Sequence, residues 1–242
     1  MNTTTPDPLE AVFFDLDGTL LDTSMDFCVL LNGWRVGLGL SLLSTAEVCS
    51  RISGGIRALT ALACAKPVSC DEPAFERLCQ RFLDHYERMV SDPRRASASR
   101  LFDGMDRVLE KLETLSIPWG VVTNKPRRFA EPLLQSIALP SPCAVLVCPD
   151  DVSKSKPDPE PLLLAASSLG VAPQHCLYIG DHLVDIQAGS AACMVTLAAA
   201  YGFLEQEASP ADWGADAIVH SPAALLKWLE DNKLQAASAV AG

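Results

Sequence analysis

The chain has 242 residues, room for one large domain or for one domain carrying an insert. Apolar residues make up 49% and charged residues 20%, a globular composition that excludes disordered, collagenous and low-complexity classes. The formal net charge is −11, which offers no basic face for nucleic acid and means that an anionic substrate needs a local cation.

Nine cysteines are scattered, their number is odd, and no Cys-x-x-Cys occurs. With four isolated histidines, no zinc constellation assembles by spacing, and buried thiols of a reducing compartment are expected. The start of the chain is polar, unlike a secretory signal. The longest uncharged stretch, 186–204, is interrupted by Gln187, Gly189, Ser190, Thr196 and Gly202. It reads as a helix end followed by a strand rather than a membrane span. The expectation is a soluble, cytoplasmic protein with neither nucleic acid nor membrane as partner; the oligomeric state is left open.

Residues 1–8 read as a mobile tail, since Pro6 and Pro8 oppose regular structure. The apolar run Ala11-Val12-Phe13-Phe14 fits a strand buried on both faces, as in a parallel sheet, and it ends in the polar Asp15-Leu16-Asp17-Gly18-Thr19. From 23 to 95 the β-branched runs vanish and apolar residues recur at helical spacing, as in Phe75, Leu78, Cys79, Phe82, Leu83 and Tyr86. This segment is expected to be an all-helical insert, broken at Ser53-Gly54-Gly55 and closed by a linker over 91–99. Beyond it the pattern predicts alternation: helix 106–115, strand 119–122, helix 126–137, strand 144–147, helix 159–169 capped by Gly170, strand 176–179, helix 183–192, weaker strands at 195–199 and 217–219, helix 223–230, and fraying from Gln235. Such alternation implies an α/β, Rossmann-like core with a parallel sheet. The expected domains are therefore a core of 1–22 and 96–242 and a helical insert of 23–95.

Ligands of such sheets sit beyond the carboxyl ends of the strands, where polar residues cluster at Asp15/Asp17, Thr123/Asn124/Lys125 and Asp181/Asp185. Asp15 and Asp17 are two apart in extended chain, so both carboxylates can face one cavity. One carboxylate can act as nucleophile and the other as general acid and then base. Asp181 adds a third carboxylate, and such a group repels itself unless a cation intervenes. Hard oxygen ligands favour Mg²⁺. Asp185, one helical turn on, either joins the metal site through a water or merely caps its helix. The Thr123 hydroxyl can hold a phosphoryl oxygen, and Lys156 can balance the charge of nucleophile and phosphoryl group.

Asp15-x-Asp17-Gly18-Thr19-Leu20-Leu21-Asp22-Thr23, Thr123-Asn124-Lys125, Lys156-Pro157-x-Pro159 and Gly180-Asp181-x-x-x-Asp185 together resemble the four ordered motifs of the haloacid dehalogenase superfamily. The helical insert after the first motif is similar to that superfamily's small cap. Further segments, Ile52-Ser53-Gly54-Gly55-x-Arg57-Ala58, Trp119 through Pro132, Cys148-Pro149-Asp150 and Trp213-Gly214-Ala215-Asp216, resemble one branch within it. That branch is the bacterial N-acetylmuramic acid 6-phosphate phosphatases of peptidoglycan recycling, whose nearest relatives are phosphoglycolate phosphatases.

The resemblance implies a Mg²⁺-dependent phosphatase acting on a small phosphorylated metabolite. Asp15 is the implied nucleophile and metal ligand. Asp17 is the implied acid/base, ligating the metal through its backbone carbonyl. Thr123 and Asn124 are implied to bind phosphate, Lys156 to steady the nucleophile, and Asp181 to complete the metal site. Ser53, Gly54 and Gly55 read either as a helix-breaking turn or as a substrate-facing cap loop, and Arg57 and Lys125 either as surface cations or as substrate contacts. His182 stands where many members carry Asp or Ser, and it reads as a polar helix start. Alternatives are a phosphoglycolate phosphatase, a sugar phosphomutase, which also needs Asp15 and Asp17, and a non-enzymatic phosphosugar-binding module.

Overall fold

The computed structural model describes residues 9–66, 73–92, 98–205 and 208–232. The tail expected at 1–8, the linker positions 93–97 and the fraying from Gln235 lie outside the described residues. In chain order the elements are β1 (Ala11–Phe14), β2 (Leu21–Asp22), α1 (Ser24–Gly37), α2 (Thr45–Ile52), α3 (Gly55–Cys64), α4 (Pro73–Val90) and β3 (Arg100–Leu101). There follow α5 (Met105–Thr114), β4 (Trp119–Val122), α6 (Arg127–Gln135), β5 (Val145–Val147), α7 (Glu160–Ser168), β6 (Cys176–Gly180), α8 (Leu183–Ala191), β7 (Val195–Ala199), β8 (Ala217–Val219) and α9 (Pro222–Asp231).

Every residue of β1 is buried, because side chains alternate between two covered faces. Val12 and Phe14 pack with Trp119, Leu177 and Leu197 under α5, α6 and α9. Ala11 and Phe13 pack on the other face with Val122, Val147 and Tyr178 under α7 and α8. Among the described residues, six parallel strands run in the order β5-β4-β1-β6-β7-β8. The chain builds one half of the sheet outward from β1 through β4 and β5, then the other through β6, β7 and β8. The order therefore reverses at β1, which opens a crevice beyond the carboxyl ends of β4, β1 and β6. The expected parallel α/β core is observed, and helices and strands fall within a residue or two of their predicted ends. Gly170 adopts φ +69 after α7, the left-handed cap its position predicted.

A two-stranded antiparallel ribbon was not legible in the sequence. Leu21 pairs with Leu101 and Asp22 with Arg100, where the chain leaves for the helices α1 to α4 and where it returns. Two-residue strands carry no periodicity, so only the pairing reveals them. A buried carboxylate reinforces the junction: Asp26 accepts hydrogen bonds from the backbone N–H groups of Ala98 and Ser99, at 3.1 and 3.2 Å, and from the Ser99 hydroxyl. The four helices close on Phe27, Leu31, Val48, Ile52, Leu59, Phe82 and Tyr86, and this cluster continues into Phe129 of α6 and Phe203. Among the described residues no helix is long and apolar enough to cross a membrane.

Asp26→Ala leaves buried N–H donors of the returning chain without a carboxylate. The expected loss is about 3 kcal/mol of unfolding free energy, read from urea titrations of the two proteins side by side.

Candidate active site

Asp15 is the first residue past β1, and its N–H still bonds the Ile179 carbonyl of β6 at 2.9 Å. Its Oδ1 accepts from Lys156 Nζ at 2.7 Å. The same ammonium reaches Asp185 Oδ1 at 2.7 Å, the Tyr178 hydroxyl at 2.8 Å and the Val122 carbonyl at 3.0 Å. Lys156 is only 6% exposed. Burial alone would lower its pKa, but Asp15 and Asp185 outweigh burial and hold it above the ordinary value. The ammonium therefore stays charged and satisfied. Its backbone is locked in turn by Asn124, whose Nδ2 donates to the Lys156 carbonyl at 3.0 Å while its Oδ1 accepts the Lys156 N–H at 3.1 Å.

Asp181 follows β6. Its Oδ2 accepts from the Phe203 N–H at 2.7 Å and its Oδ1 from the Thr19 hydroxyl at 3.3 Å. The packing there is so close that a Cβ on Gly18 would lie 2.0 Å from Asp181 Oδ2, and one on Gly202 would lie 2.3 Å from the Asp181 Cβ. Both glycines are what let the carboxylate sit against the first loop. Asp185 is fixed through Oδ2 by the His182 N–H at 3.1 Å and through Oδ1 by Lys156 and the Tyr178 hydroxyl. His182 is the N-cap of α8, its Nδ1 accepting from the Val184 N–H at 3.3 Å, as its reading as a polar helix start anticipated.

Oxygens of Asp15, Asp181 and Asp185 lie within 4.8 Å of one another. Burial pushes Asp15 up to about 6, opposed by Lys156 and reinforced by Asp185. Burial, with the charges of Asp15 and Asp185, pushes Asp181 well above the carboxylate range against the Phe203 N–H. Three carboxylates with one ammonium, which pairs with Asp15 and Asp185, leave an uncompensated negative charge. Their oxygen donors, without histidine or cysteine among them, fit a small hard divalent cation.

The Asp17 carboxylate lies apart from that cluster. Its oxygens take Lys125 Nζ at 2.9 and 3.0 Å, and its Oδ1 takes the Thr23 hydroxyl at 2.7 Å. Thr123 is buried after β4, and its Oγ1 accepts the Lys125 N–H at 3.1 Å. Above these groups a cleft of about 520 Å³ is floored by Asp15, Asp17, Thr123, Lys156 and Asp181 and roofed by Phe27, Ile52, Ile56, Leu59, Phe82 and Tyr86.

The remaining sequence candidates divide. Ser53 and Gly55 line the cleft, and the Ser53 hydroxyl donates to the Phe203 carbonyl at 2.9 Å, bridging the helical segment to the core. Gly54 packs against Ala58 instead, where an added Cβ would come within 2.8 Å. Arg57 is not brought to the cleft: it pairs with Glu76 of α4 and lies over the Phe75 ring at 5.2 Å. Its spacing from the glycines pointed to the loop, but the helix turns its side chain toward α4. Asn124 and Lys125 reach the site with their side chains committed to Lys156 and Asp17. Sequence reasoning missed Thr19, Thr23 and Tyr178. The hydroxyl of Tyr178 inside a fully buried strand was the available signal for the last.

The model for haloacid dehalogenase-like hydrolases matches residues 12–199, and the chain belongs to that family. It is 46% identical over 222 residues to an N-acetylmuramic acid 6-phosphate phosphatase of Pseudomonas aeruginosa, covering 92% of this chain and 95% of that one. It is 39% identical to a phosphoglycolate phosphatase of Xanthomonas campestris, covering 88% and 92%. Among solved structures, a predicted phosphoglycolate phosphatase of Haemophilus somnus superposes with a TM-score of 0.74 at 24% identity, covering 94% of this chain and 99% of that one. The fold and the phosphatase class expected from the motifs agree with these relatives.

Because the folded state raises the Asp15 pKa from 3.8 to about 6, native protein binds this proton more tightly than unfolded chain. The resulting cost, up to about 3 kcal/mol, is fully present above pH 6 and disappears as the pH falls below 4. Without divalent cations, Asp15→Asn is expected to be more stable than the parent at pH 7.5 and nearly equal to it at pH 4. Denaturant titrations in EDTA at both values check the sign.

Proposed function

We propose that this chain is a Mg²⁺-dependent phosphomonoester hydrolase that works through an aspartyl-phosphate on Asp15. The observation that carries the reading is the gathering of Asp15, Asp181 and Asp185, with the buried Lys156 ammonium paired to Asp15 and Asp185, beside Thr123, at the ends of neighbouring strands. Asp15, Asp181 and the Asp17 carbonyl, with Asp185 beside them, would hold Mg²⁺, which would supply the positive charge that lets a phosphate dianion approach a carboxylate.

Lys156 binds Asp15 through Oδ1, which leaves Oδ2 to attack phosphorus. The new Oδ2–P bond forms as the ester P–O bond breaks, and Asp17 protonates the departing oxygen. Asp17 then takes a proton from water as that water attacks phosphorus, which frees Asp15 and inorganic phosphate. The Thr123 hydroxyl holds a phosphoryl oxygen, and Lys156 keeps the nucleophile aligned throughout. Phosphate-ester hydrolysis calls for up to ~10²¹ of acceleration, about 29 kcal/mol. General acid catalysis contributes ~10²–10⁴ of this, so covalent, metal and lysine contributions must supply the rest. In this reading residues 23–95 serve as a cap on a core of 1–22 and 96–242, and closure over the substrate excludes bulk water.

The favoured substrate is N-acetylmuramic acid 6-phosphate, in cytoplasmic peptidoglycan recycling. The named relatives support it, and so does the cleft. At about 520 Å³ it has room for a sugar phosphate, and its roof is aromatic and aliphatic. Both lysines that line it are already paired with carboxylates. The carboxylate of 2-phosphoglycolate, one carbon from the ester, would find no uncommitted cation among the described lining residues. The carboxylate of N-acetylmuramic acid is carried by the lactyl ether on O3, several bonds further from the phosphorylated C6 than the single carbon of 2-phosphoglycolate, so it can reach the open mouth.

Phosphate release from the two esters, with and without Mg²⁺, tests the reading. A kcat/KM preference of ~10²-fold or more for the amino sugar is expected, and isomerised sugar phosphate in place of inorganic phosphate would indicate a mutase. A preference for phosphoglycolate would keep the chemistry and reverse the substrate. Asp15→Asn is expected to abolish turnover, and Asp181→Asn to abolish the rise in melting temperature that Mg²⁺ with beryllium fluoride gives the parent. Absence of that rise in the parent protein counts against the phosphoryl site.

A further inference from the structure

The side chain of Lys125, a residue the motifs offered as a substrate contact, is engaged entirely within the protein. Its ammonium straddles both oxygens of Asp17 at 2.9 and 3.0 Å. On its other side lie two rings from the helical segment, Phe27 of α1 at 5.2 Å and Tyr86 of α4 at 4.8 Å from their centroids. The side chain is 8% exposed, so these cation–ring contacts act with little water between them. The two rings stack on one another at 5.0 Å with 14° between their planes, and Tyr86 also meets Phe129 of α6 at 5.4 Å.

The backbone of Lys125 belongs to the core. Its N–H bonds Thr123 Oγ1, and the next helix is clasped where the Arg127 N–H bonds Asp150 Oδ2 at 2.8 Å. One side chain thus joins three parts: a fixed core loop, the carboxylate that handles the proton, and an aromatic wall built from α1 and α4. The hydrogen bonds of this ammonium go to Asp17, and the rings of Phe27 and Tyr86 lie beside it.

We propose that Lys125 is a positioning residue for Asp17, clamped by Phe27 and Tyr86, so that docking of the helical cap sets the orientation of the acid/base. The inference rests on the phosphatase reading above and assigns no contact between Lys125 and the phosphoryl group. Asp17 matters to the first step in proportion to how badly the leaving oxygen needs a proton. An alkoxide from a sugar needs it, and a nitrophenolate does not. Removal of a positioning residue therefore penalises the two esters unequally, whereas removal of a phosphate ligand or general loosening of the fold penalises both alike.

The test is kcat/KM, in Mg²⁺, for a sugar 6-phosphate and for p-nitrophenyl phosphate. Lys125→Met is expected to lose ~10²-fold on the sugar phosphate and less than ~5-fold on the aryl ester, within the span of one general acid. Tyr86→Leu, which leaves the lysine in place and removes no buried charge, is expected to shift the ratio of the two esters in the same direction. Tyr86→Phe keeps the ring and is expected to preserve the ratio. Equal losses on both esters in Lys125→Met overturn the inference while leaving the phosphatase reading intact. Equal losses in Tyr86→Leu, or a shift in Tyr86→Phe as large as that in Tyr86→Leu, overturn the part assigned to the ring. A parent protein that releases phosphate from neither ester overturns the phosphatase reading and this inference with it.

Discussion

The structure depends on holding three carboxylates together, two of them paired with one buried ammonium. Asp15, Asp181 and Asp185 repel one another at the distances seen, and burial strengthens the repulsion by removing water. Lys156 offsets part of it with charge-assisted hydrogen bonds to Asp15 and Asp185. What Lys156 leaves unbalanced makes the site receptive to a cation; burial first, and the charge of Asp185 after it, raise the Asp15 pKa against Lys156. A site tuned for stability alone would not be built this way. In the proposed reaction the strain is the cost of a nucleophile that is desolvated and aimed.

The rest of the core serves this arrangement. Reversal of strand order at β1 brings the ends of β4, β1 and β6 side by side, so three loops far apart in sequence share one crevice. Gly18 and Gly202 admit the Asp181 carboxylate where a methyl group would collide with it. Asn124 spends both halves of its amide on the Lys156 backbone and so fixes the lysine's origin. Tyr178, inside β6, braces the ammonium from below through its hydroxyl. The helical segment contributes differently: its aromatic core runs down to Phe129 and Phe203, so the roof of the cleft and the core of that segment are one packed body.

Reading the residues in order was enough to find the family and the carboxylates and lysine gathered at the cleft, because the four motifs keep their residue types and their order. It was not enough to say what each side chain touches. Asn124 and Lys125 sit in one motif and look like two ligands of one phosphate, yet their side chains turn to different neighbours, Lys156 and Asp17. Arg57 lies two residues past the glycine turn, but α3 directs it to Glu76. The ribbon of β2 and β3 joins Leu21 to Leu101 and Asp22 to Arg100, far apart in the chain, and carries two residues a side, too few for any pattern.

Sequence alone determined the alternation of strands and helices, the position of the helical insert and the identity of the carboxylates and lysine. Period-2 and period-3.6 patterns and short motifs are local properties, written within a few residues. Tertiary structure alone decided that β1 lies between β4 and β6, that Lys156 is shared by Asp15 and Asp185, and that Lys125 belongs to Asp17 and to Phe27 and Tyr86. Those pairings join residues separated by 29 to 141 positions, as between Lys156 and its two carboxylates. Partners at such separations are chosen by packing and by competition among charges for a few buried hydrogen bonds, which no local pattern encodes.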